Sequence, residues 1–402
     1  MSQDSRTFVV VGASLAGLRA CEALREEGFE GRLVLIGAEP HAPYDRPPLS
    51  KEILRGQWDP EKTALRKSGL DDLRLDLRLG RTAMHLNAGQ HTLALDDGET
   101  IAFDGLVLAT GARVRRLEET PPLAGIHYLR TLDDALALRD ELLAGPRVAI
   151  LGAGFIGCEV ASSCRARGLD VTLIEPLAAP MVRALGRALG GLAARLHTDN
   201  GVKLRCATRV VAIEGADRVE RLQLSDGRTI AADVLVIGVG VQPQTQWLEG
   251  SGLEVEDGVV CDDRCATAVD GIVAAGDVAR WHSARAGRLV RIEHWTNAAA
   301  QGRAAALRLL KGADAVEPYA PVPYVWSDQF GTKLQIAGHA LPDDELHVVD
   351  GSFEEYRFVA IFGRSGRLTG VAGMGRPRVV AHYQALLEAG ASMAEALASR
   401  PS

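Results

Sequence analysis

The chain has only six cysteines in 402 residues: Cys21, Cys158, Cys164, Cys206, Cys261 and Cys265. They are scattered, without the density of a disulfide scaffold, and no spacing suits an iron–sulfur cluster. The ten histidines are also dispersed, with no H-E-x-x-H or related pattern, so no metal site is expected. No apolar run reaches the length of a membrane span. The opening residues, MSQDSRTFVVVGAS, carry no signal-peptide pattern, and together with the cysteine usage this makes a cytoplasmic setting the expectation. A net charge of −7 speaks against nucleic acid as a bulk partner. What remains is a globular chain, 47% hydrophobic and long enough for roughly two to three domains.

The most informative stretch runs from Arg147 to Glu175. An apolar, β-branched run, Val148 to Leu151, breaks into Gly152-Ala153-Gly154-Phe155-Ile156-Gly157. A helix-compatible segment follows, then a second strand, Val171 to Ile174, which ends on Glu175. Strand, G-x-G-x-x-G, helix, strand and acid together form the full dinucleotide-binding context. Gly152 makes the tight turn, Gly154 lets backbone N–H groups approach a pyrophosphate, and Gly157 lets helix and strand pack closely. The helix start, with Phe155 and Ile156, turns its partial positive charge towards the phosphates. Glu175 can accept from a ribose diol and would repel a 2′-phosphate, which favours NAD(H) over NADP(H).

A second fingerprint lies near the start. Strand Thr7 to Val11 leads into Gly12-Ala13-Ser14-Leu15-Ala16-Gly17, with Ser14 in place of the middle glycine. A helix is expected over Leu15 to Glu27, and the next strand over Leu33 to Ile36. Gly37 stands where Glu175 stands in the other copy, so the ribose-binding acid is displaced or missing, and Glu39, just after Ala38, is a substitute. In Tyr44-Asp45-Arg46-Pro47-Pro48-Leu49-Ser50-Lys51, tandem prolines fix an extended entry and Ser50 can cap a short helix carrying Lys51. A rigid surface turn is the equally open alternative.

Further along, Asp96-Asp97-Gly98 and Asp226-Gly227 signal hairpins. Strand Leu106 to Leu108 runs into Ala109-Thr110-Gly111, and Thr131 is a candidate N-cap. Gly238 and Gly240 form a glycine-rich exit. Ile272 to Ala275 ends in Gly276-Asp277, and Thr296, after His294 and Trp295, is the candidate N-cap of a helix that Gly312 stops. Aromatic-rich strands begin at Tyr319, and a final helix is expected over Arg378 to Glu388.

The first fingerprint unit is therefore interrupted by a complete second one and then resumed. The expected fold class is α/β, two nested Rossmann-like dinucleotide-binding domains plus a C-terminal α+β domain. The expected boundaries are 1–112 with 241–318, 113–240, and 319–402. Two nested dinucleotide folds imply two dinucleotides face to face, and NADH with FAD is the obvious donor–acceptor pair.

The motifs PYDRPPLSK, LATGA, GAGFIGCEVA, GVGVQPQT, AAGDVA, EHWTNAAAQG and VWSDQFGTKLQIAG occur in this order over nearly the whole chain. On these residues the sequence resembles the FAD/NAD-dependent ferredoxin reductases, putidaredoxin-reductase-like, that serve bacterial P450 and aromatic-ring dioxygenase systems. More broadly it is similar to the two-dinucleotide-binding, glutathione-reductase-like flavoproteins that include apoptosis-inducing factor. The resemblance implies FAD held by Gly12, Ser14, Ala16, Gly17, Ala38 and Lys51, with Ala83, Arg130, Asp277 and Trp295 at further contact positions. It also implies that Pro48 and Lys51 lie against the isoalloxazine ring and that Glu159 reaches towards the nicotinamide and that lysine. Arg46, Ala109, Thr110, Gly111, Gly276, His294 and Thr296 complete the expected cofactor set, and Trp326 is either a core aromatic or a lid over the nicotinamide.

Disulfide reductases of related architecture carry a redox C-x-x-x-x-C just after the first fingerprint helix. Here that region is PYDRPPLSK, without cysteine, so electrons are expected to leave the flavin directly for an external acceptor. The resemblance implies a small [2Fe–2S] ferredoxin supplying a P450 or oxygenase. Its expected docking patch is basic, with Arg303, Arg308 and Lys311 as candidates and Arg66 and Lys67 as outsiders. The alternatives left open are an NADH oxidase, a rubredoxin reductase, and a non-catalytic NADH-binding redox sensor. No membrane partner is expected, and either a monomer or a homodimer is compatible.

Overall fold

The computed structural model describes residues 4–341 and 343–399. They form two compact units, each assembled from three separated stretches. The first holds residues 4–45, 63–113 and 242–323; the second holds 46–62, 114–241 and 324–399. The short stretch Arg46–Lys62, which the sequence places with the first fingerprint, joins the second unit, and so does the C-terminal sheet.

The first unit is built on a parallel sheet in the order Ile272–Ala274, Gly105–Leu108, Thr7–Val11, Arg32–Gly37, Leu75–Leu79. Its central strands are continuous apolar runs because both faces of a parallel sheet are covered. Val9, Val10, Leu106 and Val107 are fully buried. Helix Leu15–Glu26 follows the first strand and packs against helix Trp295–Lys311. The Asp96-Asp97-Gly98 turn joins strands Thr92–Leu95 and Thr100–Ala102, as its sequence predicts.

The second unit repeats the plan. Its parallel sheet runs Lys203–Arg205, Val171–Ile174, Val148–Leu151, Val234–Ile237, Ile126–His127. Helix Phe155–Ala166 leaves the central strand, and Thr131 caps helix Leu132–Glu141 through a reciprocal box with Asp134. The C-terminal stretch adds an antiparallel sheet in the order Tyr324–Gln329, Thr332–Gly338, Arg367–Met374, Arg357–Arg364, Glu345–Ser352. One apolar core joins this sheet to the parallel one, with Leu185, Leu189, Leu334, Phe358 and Met374 in the same cluster.

Three local expectations are corrected. The helix expected to have Thr296 as its N-cap is capped two residues earlier, at His294, and begins at Trp295; it does stop at Gly312. The final helix spans Pro377–Glu388, and a further one, Met393–Ala398, follows behind a Ser392/Glu395 capping box. Ser50 caps nothing: Pro47–Ser50 is a single 3-10 turn, and the Ser50 hydroxyl is directed elsewhere. Among the described residues, no helix is long and apolar enough to cross a membrane.

Candidate functional sites

In the first unit the loop after strand Thr7–Val11 is fitted to a phosphate. Gly12 sits at φ +120°, where a Cβ would fall 2.0 Å from the carbonyl oxygen of Ala109. At Gly17 a Cβ would lie 1.9 Å from the Gly12 oxygen, so helix and turn touch backbone to backbone. Ser14 is the N-cap of helix Leu15–Glu26, yet its side chain makes no capping bond. The first-turn N–H groups and this hydroxyl are thus donors directed at whatever enters the loop, which is the requirement of a pyrophosphate.

The remaining first-unit candidates have defined places. Ala16 is buried in the fingerprint helix, Ala38 is exposed beyond strand Arg32–Gly37, and Ala83 is buried at the start of strand Ala83–Asn87. Glu39 accepts a 2.5 Å hydrogen bond from the Tyr44 hydroxyl. Ala109, Thr110 and Gly111 follow strand Gly105–Leu108, with the Thr110 hydroxyl donating to the Gln244 carbonyl. Gly276 and Asp277 follow strand Ile272–Ala274, and the Gly276 N–H donates to the buried Gln301 amide oxygen. The Trp295 indole N–H donates to Asp45 at 2.7 Å, and Thr296 follows it in the first helical turn.

The second unit carries the other fingerprint. Gly152 has φ +98°, and a Cβ there would come within 2.3 Å of the Gly238 oxygen; at Gly157 it would meet the Gly152 oxygen at 1.9 Å. Gly154 is different. Nothing lies within 4 Å of its Cβ direction, so the backbone faces open space at the helix N-terminus. Phe155 is half-buried and Ile156 is exposed beside it. The buried Glu175 accepts from the Ala153 N–H at 2.7 Å and from the Leu177 N–H at 2.9 Å, which ties the fingerprint turn to the end of the second strand. Gly240 lies exposed on the exit from strand Val234–Ile237, its carbonyl accepting from the Arg115 N–H. The open face at Gly154, at the N-terminus of helix Phe155–Ala166, has the room and the backbone N–H groups that a pyrophosphate requires.

The same unit also brings together residues far apart in sequence. Lys51 Nζ lies 2.8 Å from Glu159 Oε2, with 6% and 4% of the two side chains exposed. Ser50 Oγ donates to the same oxygen at 2.5 Å. The other oxygen, Oε1, accepts from Ser327 Oγ at 2.7 Å. Arg55 and Ser163 brace the stretch, the Ser163 hydroxyl donating to the Ser50 carbonyl at 2.7 Å. Pro48 is buried in the turn before Lys51. Arg46 donates to the Arg130 carbonyl at 2.5 Å, and the Arg130 N–H donates to Asp134. Trp326 lies on strand Tyr324–Gln329, half-buried, with Lys333 Nζ 5.7 Å from its ring. Ser50, Ser327, Gln329 and His197 carry no sequence signal of a shared site, because only tertiary packing makes them neighbours.

His197 is fully buried, and burial pushes its imidazole down to about 4. The unfolded chain therefore takes up a proton below about pH 6.5 that the folded chain refuses. The contribution of neutral His197 to stability is fully present above pH 6.5 and is lost as the pH drops towards 4, about 3 kcal/mol over that window at 1.36 kcal/mol per pKa unit. Urea titrations of the protein and of His197→Gln between pH 7 and 4.5 check this, and the variant should show the shallower pH dependence.

The thiols are quiet. Burial pushes Cys21, Cys164 and Cys265 up to about 12, and Cys158 and Cys261 rise for the same reason. Several cations of the expected basic patch also make surface ion pairs. Arg303 binds Glu26 and Glu27, Lys311 binds Glu27 at 2.6 Å, and Arg66 is held by Glu22 and Asp72. Arg308 is half-buried on the same helix as Arg303.

Two parallel sheets, each with a glycine-rich strand–helix turn shaped for a pyrophosphate, define a two-dinucleotide-binding flavoprotein. Residues 6–302 match the pyridine nucleotide-disulphide oxidoreductase family and residues 324–402 the reductase C-terminal family, and the chain belongs to this family. It is 40% identical to the anthranilate 1,2-dioxygenase system ferredoxin–NAD(+) reductase component of Burkholderia cepacia, over 97% of this chain and 96% of that one. It is 38% identical to rhodocoxin reductase of Rhodococcus erythropolis, over 92% and 87%. Among solved structures, the covalent putidaredoxin reductase–putidaredoxin complex superposes with a TM-score of 0.90 at 31% identity, covering 96% of this chain and 93% of that one. The chain is an FAD-dependent NAD(H) oxidoreductase.

Proposed function

We propose that this protein is a cytoplasmic NADH-dependent ferredoxin reductase supplying a P450 or ring-hydroxylating oxygenase. When bound, NADH supplies a hydride and FAD accepts it and releases electrons singly to a [2Fe–2S] ferredoxin. The observation that carries the reading is the buried Lys51–Glu159 pair, held in the same unit as the Gly152–Gly157 fingerprint. In this reading Gly152, Gly154 and Gly157 hold the NADH pyrophosphate, Glu175 takes the adenosine ribose, and Glu159 fixes the Lys51 ammonium at the reacting end. A fixed cation in a water-excluded site supplies preorganised charge without reorganisation at the moment of reaction. The Gly12–Gly17 loop holds the FAD pyrophosphate. The six free, mostly buried cysteines suit a reducing compartment.

Steady-state oxidation of NADH with a [2Fe–2S] ferredoxin and cytochrome c as final reporter tests the reading. Cytochrome c reduction should depend on the ferredoxin. With NADPH as donor, kcat/KM should be about 10²-fold lower, the equivalent of roughly 2.7 kcal/mol, because the Glu175 carboxylate meets the 2′-phosphate. Glu175→Ala should narrow that preference. Equal use of both donors would overturn the assignment of Glu175, and ferredoxin-independent turnover would overturn the acceptor.

A further inference from the structure

The Glu159 carboxylate is held from both sides, and the second side is built entirely from side chains outside the fingerprint. Ser327 Oγ meets Oε1 at 2.7 Å, Gln329 Nε2 meets Ser327 Oγ at 2.9 Å, and Gln329 Oε1 meets His197 Nε2 at 3.0 Å. Ser327 and His197 are fully buried and Gln329 nearly so, so water competes for none of these bonds. The polarity of the chain follows from donor counting. A carboxylate only accepts, and a serine hydroxyl has one proton, so Ser327 must spend it on Glu159. Gln329 must then donate to Ser327 through its amide N–H, with its second N–H facing the Met181 thioether at 3.7 Å. Its carbonyl oxygen is left to accept from His197, whose proton therefore sits on Nε2. The Nδ1 atom of His197 has no hydrogen-bond partner, and a proton placed there would be a buried orphan donor. The reversed chain would leave Oε1 of Glu159 with no donor. All three side chains thus point their donors one way, towards the carboxylate.

We propose that Ser327, oriented by Gln329 and His197, is a positioning residue that sets the Glu159 carboxylate and, through it, the Lys51 ammonium. This rests on the reading that Glu159 and Lys51 act at the hydride-transfer end of the site. With only Ser50 and Lys51 on Oε2, the carboxylate can rotate about its terminal torsion; the Ser327 bond on Oε1 fixes the plane. The C-terminal domain, which supplies Ser327 and Gln329, is in this view part of the reaction machinery as well as packing.

The test is a double-mutant cycle on the FAD-loaded enzyme with Ser327→Ala, Glu159→Ala and the double variant. Two quantities are measured: the limiting rate of flavin reduction by NADH in anaerobic stopped flow, and the thermal midpoint. Ser327→Ala alone should slow reduction about tenfold, with the NADH dissociation constant changed less than about twofold and FAD retained. In the Glu159→Ala background the same substitution should leave the rate within about twofold. It should also no longer lower the melting temperature there, because the hydroxyl has lost its acceptor. Gln329→Met, which keeps the shape but removes the donor, should reproduce the Ser327→Ala rate. Additive effects on rate and melting would overturn the proposal and leave the function reading intact. An unchanged reduction rate in Glu159→Ala itself would overturn the reading of Glu159, and the proposal with it.

Discussion

Glu159→Ala is expected to slow flavin reduction by NADH about 10²-fold while FAD stays bound, and to cost roughly 3–5 kcal/mol of stability. Both effects come from one change. The carboxylate is the partner of a lysine whose side chain is 6% exposed, and removing it leaves an ammonium buried without a counter-charge. The rate loss follows because Lys51 then has no fixed position: Ser50, Ser327 and Glu159 all belong to one hydrogen-bonded cluster, and its centre would be gone. Glu159→Gln tests the shared origin of the two effects. It keeps the shape but not the charge, so the Lys51 ammonium still lacks a counter-charge, and both the stability loss and the slow reduction should largely persist. Urea unfolding and anaerobic stopped flow on the same preparations measure both.

Gly157→Ala is expected to abolish productive NADH binding with FAD still in place. Its added Cβ would lie 1.9 Å from the Gly152 carbonyl oxygen, a backbone atom that cannot swing aside as a side-chain tip would. Relief requires helix Phe155–Ala166 to move away from the turn, and the N–H groups aimed at the phosphates move with it. Losing two charge-assisted hydrogen bonds, at about 1.5–3 kcal/mol each, weakens NADH by at least about 10²-fold. Gly154→Ala is the contrasting control. A Cβ there enters open space in the protein, so the fold should be unchanged and only the nucleotide should feel the methyl. Isothermal titration with NAD+, the FAD content and the thermal midpoint of each purified variant distinguish the two, with the midpoint lowered only in Gly157→Ala. Gly157→Ala binding NAD+ as tightly as the parent would contradict the assignment of this loop.

Much of this is readable from the chain because it is local. The strands Thr7–Val11 and Val148–Leu151, their glycine turns and the Thr131 cap all signal through residues a few positions apart. Helix Val182–Asp199 is hard to read for an equally local reason: it opens after Met181 in the left-handed region and is broken at Gly186, φ +70°. Ser50 shows the limit more sharply. Its sequence context reads as a helix cap, but a carboxylate 109 positions away accepts its hydrogen bond. Lys51 and Glu159 pair in the sequence only through a family resemblance, since nothing local links residues 108 apart. Ser327 and Gln329 fall within the VWSDQFGTKLQIAG motif, but nothing local links them to Glu159 or to His197. The basic patch shows a related effect: Arg303 and Lys311 read as docking cations, while Glu26 and Glu27 also meet them from another helix end 276 to 284 positions away.

The most direct measurement is a two-step anaerobic stopped-flow experiment. The enzyme is first mixed with one equivalent of NADH and then with excess oxidised [2Fe–2S] ferredoxin. Visible flavin absorbance should be lost in the first step and recovered in the second, with two ferredoxins reduced per NADH. Flavin that stays oxidised after NADH, or reduced flavin that recovers only when oxygen is admitted, would contradict the proposed function.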